Sequence, residues 1–115
     1  MIVAERSEQD AKKVTAPGFE GASMQAMVGP KQGWEGHVMR MVTLEPGGHT
    51  SRHAHPWPHI NYVSRGEGIL FLEGQEHPLR EGSYAQVPSN AEHQFINTGA
   101  QRLEFICIVP EEGHQ

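Results

Sequence analysis

Four histidines in this chain stand at spacings that suit one metal ion. His53 and His55 are one residue apart, so on an extended segment both imidazoles leave the same side of the backbone and can reach a common ion. His59 follows Pro56-Trp57-Pro58, where two prolines forbid regular ladder pairing and predict a corner leading into the next strand. A third imidazole can enter the site across that corner. His93 lies far along the chain, as expected where a sheet returns antiparallel strands to opposite sides of one pocket. Imidazole accepts Mn(II), Fe(II), Ni(II), Cu(II) and Zn(II), so ligand type does not choose the metal.

Four neutral ligands leave the ion's double charge uncompensated, which favours an anionic small-molecule substrate or a peroxide. Ligands at adjacent corners of an octahedron leave two neighbouring positions for water, substrate or dioxygen. The opposing reading is a closed, purely structural zinc site. Such sites usually include cysteine, and a barrel of this size builds its core without a metal. The other histidines, His37, His49, His77 and His114, are isolated and read as ordinary core or surface residues.

The elements that must position this cluster are strands. Thirteen glycines and eight prolines are scattered through 115 residues, which suits short strands and tight turns. Apolar β-like runs between these breakers predict strands at 23–28, 37–44, 59–64, 68–73, 84–87, 94–97 and 102–109. No stretch has the helical period, so the fold class is all-β, a sandwich, jelly roll or closed barrel in one domain. Residues 1–22 read as an irregular N-terminal arm, loosely ordered or docked on a partner subunit, and 23–115 as the barrel. In the last strand Leu103, Phe105, Cys107 and Val109 share a face that points inward. In the second, Val38, Val42 and Leu44 share a face with Arg40, an awkward neighbour for an apolar core, while Met39 and Met41 make the opposite face nearly as apolar.

The spacing around the histidines resembles the cupin family. Its first motif reads here as Gly47, five residues, His53-Ala54-His55, three residues, His59, six residues and Gly66. The second reads Gly82, five residues, Pro88, one residue, Asn90, two residues, His93, three residues and Asn97. Two positions depart from the usual pattern: His59 stands where glutamate is commonest, and Asn90 replaces a glycine, a mild change because asparagine tolerates the left-handed conformation. The resemblance implies a jelly-roll barrel with His53, His55, His59 and His93 as metal ligands. Met39-Arg40, Glu45-Pro46-Gly47-Gly48, Arg52-His53 with His55-Pro56-Trp57, and Glu104-Phe105 with Cys107 are similar to the small stand-alone four-histidine manganese cupins. That likeness implies Mn(II), a homodimer and oxidative chemistry. A metal-dependent oxidoreductase of the dioxygenase-like or peroxide-using kind is therefore the first expectation. A Lewis-acid isomerase, lyase or decarboxylase, or a binding module without chemistry, is the alternative. Arg40, Trp57, Phe105 and Cys107 are candidates for lining the substrate pocket, without a catalytic residue beyond the ligands.

Composition excludes other classes. The net charge is −5 and the nine Lys and Arg never cluster, so no surface tracks a nucleic-acid backbone. No apolar run is long enough for a membrane-spanning helix, and charges at Glu5, Arg6, Glu8 and Asp10 are unlike a secretory leader. The lone Cys107 has no partner in the chain for a disulfide, which fits a cytoplasmic setting.

Overall fold

Alternation of exposed and covered residues runs unbroken from His53 to Val63, with Ala54, Pro56, Pro58, Ile60 and Tyr62 outward. This period of two puts His53, His55, Trp57, His59 and Asn61 on the inward side of one extended chain, through the proline corner. The computed structural model describes residues 1–114. Nine strands make an antiparallel sheet: β1 (Lys12–Lys13), β2 (Glu20–Val28), β3 (His37–His49), β4 (His59–Arg65), β5 (Gly68–Leu72), β6 (Gln75–Leu79), β7 (Tyr84–Val87), β8 (His93–Ile96) and β9 (Leu103–Pro110). Their order is β6-β5-β8-β3-β9-β4-β7, with β2 also on β3 and β1 on β2. This is the curled jelly roll expected from the sequence.

The sheet curls because β3 serves both of its halves. Val38 to Leu44 pair with Val109 to Leu103 of β9, whereas His49 pairs with Ile96 of β8. The sequence predicts an end to this strand at Leu44, before Pro46-Gly47-Gly48. Instead the strand bends there and continues. Gly48 makes the bend possible: a Cβ at this position would lie 2.8 to 2.9 Å from the carbonyl oxygens of Glu20, Glu45 and Gly21.

Two strands go beyond the sequence reading. β6 is polar and contains Pro78, both adverse signs, yet it forms an outer edge where a missing N–H costs little. It joins β5 through Glu73-Gly74, both at positive φ, as a tight hairpin requires. β1 and the start of β2 lie within the segment read as an irregular arm. That arm docks on its own barrel: the Arg6 guanidinium lies 2.7 Å from the Glu104 carboxylate, and Gln25 Nε2 donates to Arg6 O at 2.9 Å.

Inside the curl, Val38, Val42, Leu44, Val63, Leu70, Phe95, Leu103, Phe105, Cys107 and Val109 form the core. Phe95 and Phe105 stack at 4.2 Å and join the two halves of the sheet beneath the histidines. Arg40 shares the inward face with Val38 and Val42, so Met39 and Met41 lie on the outer one. Among the described residues no helix is long and apolar enough to cross a membrane.

Candidate metal centre

His53 and His93 become direct neighbours through backbone pairing. Each donates its N–H to the other's carbonyl, at 3.1 and 2.9 Å, as an isolated antiparallel bridge. Directly opposed residues project side chains to the same side of a sheet, so residues distant in sequence share one site. The loop carrying His55 is tied down by Asn90, whose N–H donates to His55 O at 2.7 Å and whose φ is +66°. The left-handed turn anticipated for Asn90 thus holds a second histidine. His59 opens β4, immediately past the Pro56-Trp57-Pro58 corner.

The four rings gather closely. His93 has centroids at 4.8 Å from His53, 4.8 Å from His55 and 4.9 Å from His59. His53 and His55 lie 5.2 Å apart, His55 and His59 5.3 Å. The ligand nitrogens of His53, His55 and His93 fall within 4.8 Å of one another, so these three are positioned to hold a metal ion. His59 Nε2 lies 3.2 Å from His93 Nε2.

Each ring has its Nδ1 committed elsewhere. Nδ1 of His55 donates to Trp57 O at 2.7 Å, that of His93 to Ala91 O at 2.8 Å, and that of His59 to Asn61 Oδ1 at 2.7 Å. Nδ1 of His53 meets Ser51 Oγ. A carbonyl oxygen only accepts, so the bonds of His55, His93 and His59 fix their tautomers and leave those Nε2 lone pairs facing the cluster. Lone pairs converging this closely repel unless a cation lies among them. Burial, and then the neighbouring histidines, lower the His53 pKa to about 4. Burial likewise lowers His93 to about 4 against the raising effect of its bond to Ala91, and lowers His55 and His59. Protons are therefore poor occupants, and the donor set fits a divalent ion.

The cluster faces a cavity of about 1030 Å³. Arg40, Trp57, Phe105 and Cys107 all line it. Trp57 stacks on His55 with centroids 4.9 Å apart and nearly parallel planes, besides accepting that ring's N–H. Arg40 Nη2 donates to Cys107 Sγ at 3.3 Å. Three contributors escape the sequence reading. Asn61 stands two residues after His59 on the same face, a signal present in the spacing. Phe19 reaches the cavity from the supposed irregular arm, its ring 6.2 Å from His53. His114, read as an ordinary histidine, lines the cavity with a buried Nδ1 that has no hydrogen-bond partner among the described residues.

Residues 40–109 match the family model described as "Cupin domain". The chain belongs to the cupin family. Among curated relatives, Protein SchB of Streptomyces halstedii is 32% identical over 102 residues, which are 82% of this chain and 74% of SchB. An oxalate-binding protein of Thermotoga maritima is 31% identical over 69 residues, 59% of this chain and 57% of that protein. Among solved structures, the polyketide cyclase RemF from Streptomyces resistomycificus superposes with a TM-score of 0.89 and 25% identity, over 96% of this chain and 79% of RemF. A predicted oxalate decarboxylase from Thermotoga maritima superposes at 0.84 with 23% identity, over 95% and 98%, a likeness of fold. The cupin neighbours thus span different chemistries on one barrel.

Proposed function

We propose that this cupin holds one divalent metal ion through His53, His55, His59 and His93 and acts as a cyclase on a large, multiply oxygenated carbonyl substrate of the polyketide class. The observation that carries this reading is the cluster of four neutral imidazoles facing a cavity of about 1030 Å³ with aromatic walls. Such a volume lies at the upper end for small-molecule sites and far exceeds what a two-carbon acid fills. The likeness to RemF over nearly the whole chain supports the same substrate class.

A divalent ion bound there supplies Lewis acidity that polarises carbonyl oxygens. The protein's own residues do the rest. Trp57 and Phe19 offer apolar aromatic surface to a planar substrate and exclude water. The Arg40 guanidinium gives the cavity wall a positive group that attracts an oxygen-rich substrate. Ring closure of a poly-β-ketone forms one carbon–carbon bond, moves a proton from the methylene carbon to the carbonyl oxygen and then releases water. It needs no electron acceptor, so a redox-silent ion serves.

The oxidoreductase expected from the sequence is the second reading. Four uncharged ligands favour it, because they leave two positions of a six-coordinate ion for dioxygen or peroxide. Manganese belongs to this reading more than to the first. The discriminating experiment is anaerobic incubation of Zn(II)- and Mn(II)-loaded protein with a synthetic poly-β-keto thioester, followed by mass spectrometry. Metal-dependent loss of water with both ions supports the cyclase. Turnover that requires Mn(II) or Fe(II) together with dioxygen or peroxide replaces it with the oxidoreductase.

A second copy of the chain is part of the proposal. On the outer face of β9, β4 and β7, register puts Ile108 beside Ile60 and Ile106 beside Tyr62, which in turn lies beside Tyr84. Ile60, Tyr62 and Tyr84 are 49%, 48% and 81% exposed, a contiguous apolar patch that fits a homodimer. Cytoplasmic residence completes this reading, supported by a buried free Cys107.

A further inference from the structure

Two buried side-chain nitrogens lack any hydrogen-bond partner among the described residues: Arg40 Nε and His114 Nδ1. Both residues line the cavity that the histidine cluster faces. A buried polar atom left unpaired is costly, and a buried guanidinium edge more so. Native proteins carry few of them, and two in one cavity mark a place where a ligand supplies the missing partners, an acceptor in the case of the Arg40 Nε–H.

The surroundings specify that acceptor's charge. Among the described residues no ion pair includes Arg40, and Arg52 and Arg80, which also have none, are exposed. The carboxylates that line the cavity among the described residues, Asp10 and Glu111, are exposed and form no ion pair there. Lys12, Lys13 and Lys31 add positive charge at the exposed part of the wall. In a chain of net charge −5, this cavity concentrates cations.

Register fixes where Arg40 stands. On the inner face it pairs with Cys107, and Cys107 pairs with Asn61, the residue that orients His59. The guanidinium therefore sits two strands from the metal-facing row and spends one Nη donor on Cys107 Sγ at 3.3 Å, a weak acceptor. Its Nε–H and the adjacent Nη–H form the edge that receives two carboxylate oxygens side by side. His114 comes from the C-terminal turn, held by Gly113, where a Cβ would lie 2.5 Å from Trp57 Nε1.

We propose that Arg40 and His114 form an anion subsite beside the histidine cluster, which takes a carboxylate of the substrate and so makes the substrate an acid. This deepens the proposed function by naming one end of the molecule that fills the cavity. Arg40 is then a specificity-determining residue, with a role separate from the ion's.

The test uses 2-naphthoate and neutral 2-naphthamide as probes, titrated calorimetrically into the full chain, metal-free and zinc-loaded. Metal-free protein is expected to bind the acid at least tenfold more tightly than the amide. Arg40→Gln removes that preference and leaves the amide within twofold, Arg40→Lys keeps part of it, and His114→Ala weakens the acid about threefold. Zinc affinity stays within twofold in Arg40→Lys and His114→Ala and is no weaker in Arg40→Gln, which takes a positive charge away from His55 and His59. Thermal melting of Arg40→Gln controls for folding, and if that variant fails to fold, Arg40→Lys and His114→Ala carry the comparison. Equal binding of acid and amide, or no binding of either, overturns the subsite. So does an acid preference that appears only with zinc and survives Arg40→Gln, since the anion then sits on the metal. Intact acid preference in a protein that cyclises nothing leaves the subsite standing and removes the cyclase instead.

Discussion

His59 Nε2 faces His93 Nε2 across 3.2 Å, and the far nitrogen of each ring is already held by an oxygen, Asn61 Oδ1 for one and Ala91 O for the other. Two lone pairs are thus directed into one space that a proton occupies poorly, because burial holds both imidazoles below their ordinary pKa. A divalent ion bound there would relieve that repulsion, so metal is expected to stabilise the folded chain. Metal at a hundredfold excess over Kd stabilises the folded chain by about 2.7 kcal/mol. For a domain of this size the expected rise in Tm is roughly 10–20 °C. His93→Ala, which removes the ring closest to the other three, is expected to abolish both the rise and one-to-one binding of Co(II) or Mn(II). An unaltered Tm rise in His93→Ala would mean that the stabilising ion binds elsewhere.

Asn61 gives a finer probe, because it touches His59 and no candidate ion. Its Oδ1 accepts from His59 Nδ1 and so decides which nitrogen faces the cluster. Asn61→Ala is expected to weaken metal affinity about 10–100-fold, the usual cost of losing an orienting partner. The barrel should stay folded, so far-UV circular dichroism and competitive chelator titration together check it. Unchanged affinity removes His59 from the ligand set.

The pH dependence of the metal-free protein follows from the same burial. His53 and His93 titrate at about 4 in the folded chain, against 6.5 when unfolded. Above that upper value both states are neutral and stability is level. Between 6.5 and about 4 the unfolded chain takes up protons that the folded one refuses, so stability falls as pH falls. Below that window both states are protonated and these two groups cost nothing further. Urea midpoints measured from pH 7.5 to pH 4.5 should therefore decline, less steeply in His53→Gln than in wild type. A saturating metal ion should keep the curve level to lower pH. Midpoints that rise on acidification would contradict the buried, neutral cluster.

What the sequence discloses is bounded by which contacts are local. The strand at 84–87 and the inward face of Leu103, Phe105, Cys107 and Val109 were readable, because alternation and turn residues act within a few positions. So was the proline corner before His59. Lys12 and Lys13 are two adjacent charges that break any alternation with Ala11 and Val14, and only pairing with Met24 and Ser23 makes them a strand. β6 is polar because it is an edge. His114 lies outside every motif and reaches the cavity only because the C-terminal turn folds back over Trp57. The Arg40 environment was partly visible: sequence placed it on the apolar face, but that its buried Nε meets no hydrogen-bond partner among the described residues is a fact of three dimensions.

Gly48 tests how the bend in β3 builds the site. A methyl group there meets three backbone carbonyl oxygens that side-chain rotation does not move. Gly48→Ala is expected to cost about 1–3 kcal/mol, the range for overpacking a close contact. The bend carries Thr50, whose hydroxyl accepts from Phe95 N–H at 2.9 Å, and beyond it His53. Metal affinity should therefore fall together with Tm. A loss of Tm with full affinity would show that the His53–His93 bridge holds its geometry without the bend.

The outer apolar patch predicts a change of assembly without a change of chemistry. Tyr62 lies between Ile106 and Tyr84 in the register and points away from the cavity, so its side chain touches none of the four histidines. Tyr62→Glu puts a charge at the centre of the patch, and burying it between two copies would cost several kcal/mol unless it were paired. Sedimentation equilibrium should give a dimer for wild type and a monomer for Tyr62→Glu, with zinc affinity within twofold. The isolated variant should also lose the concentration dependence of Tm expected of a dimer. A wild-type chain that is monomeric at every concentration removes the second copy from this face. A Tyr62→Glu protein that remains dimeric places the contact elsewhere on the barrel.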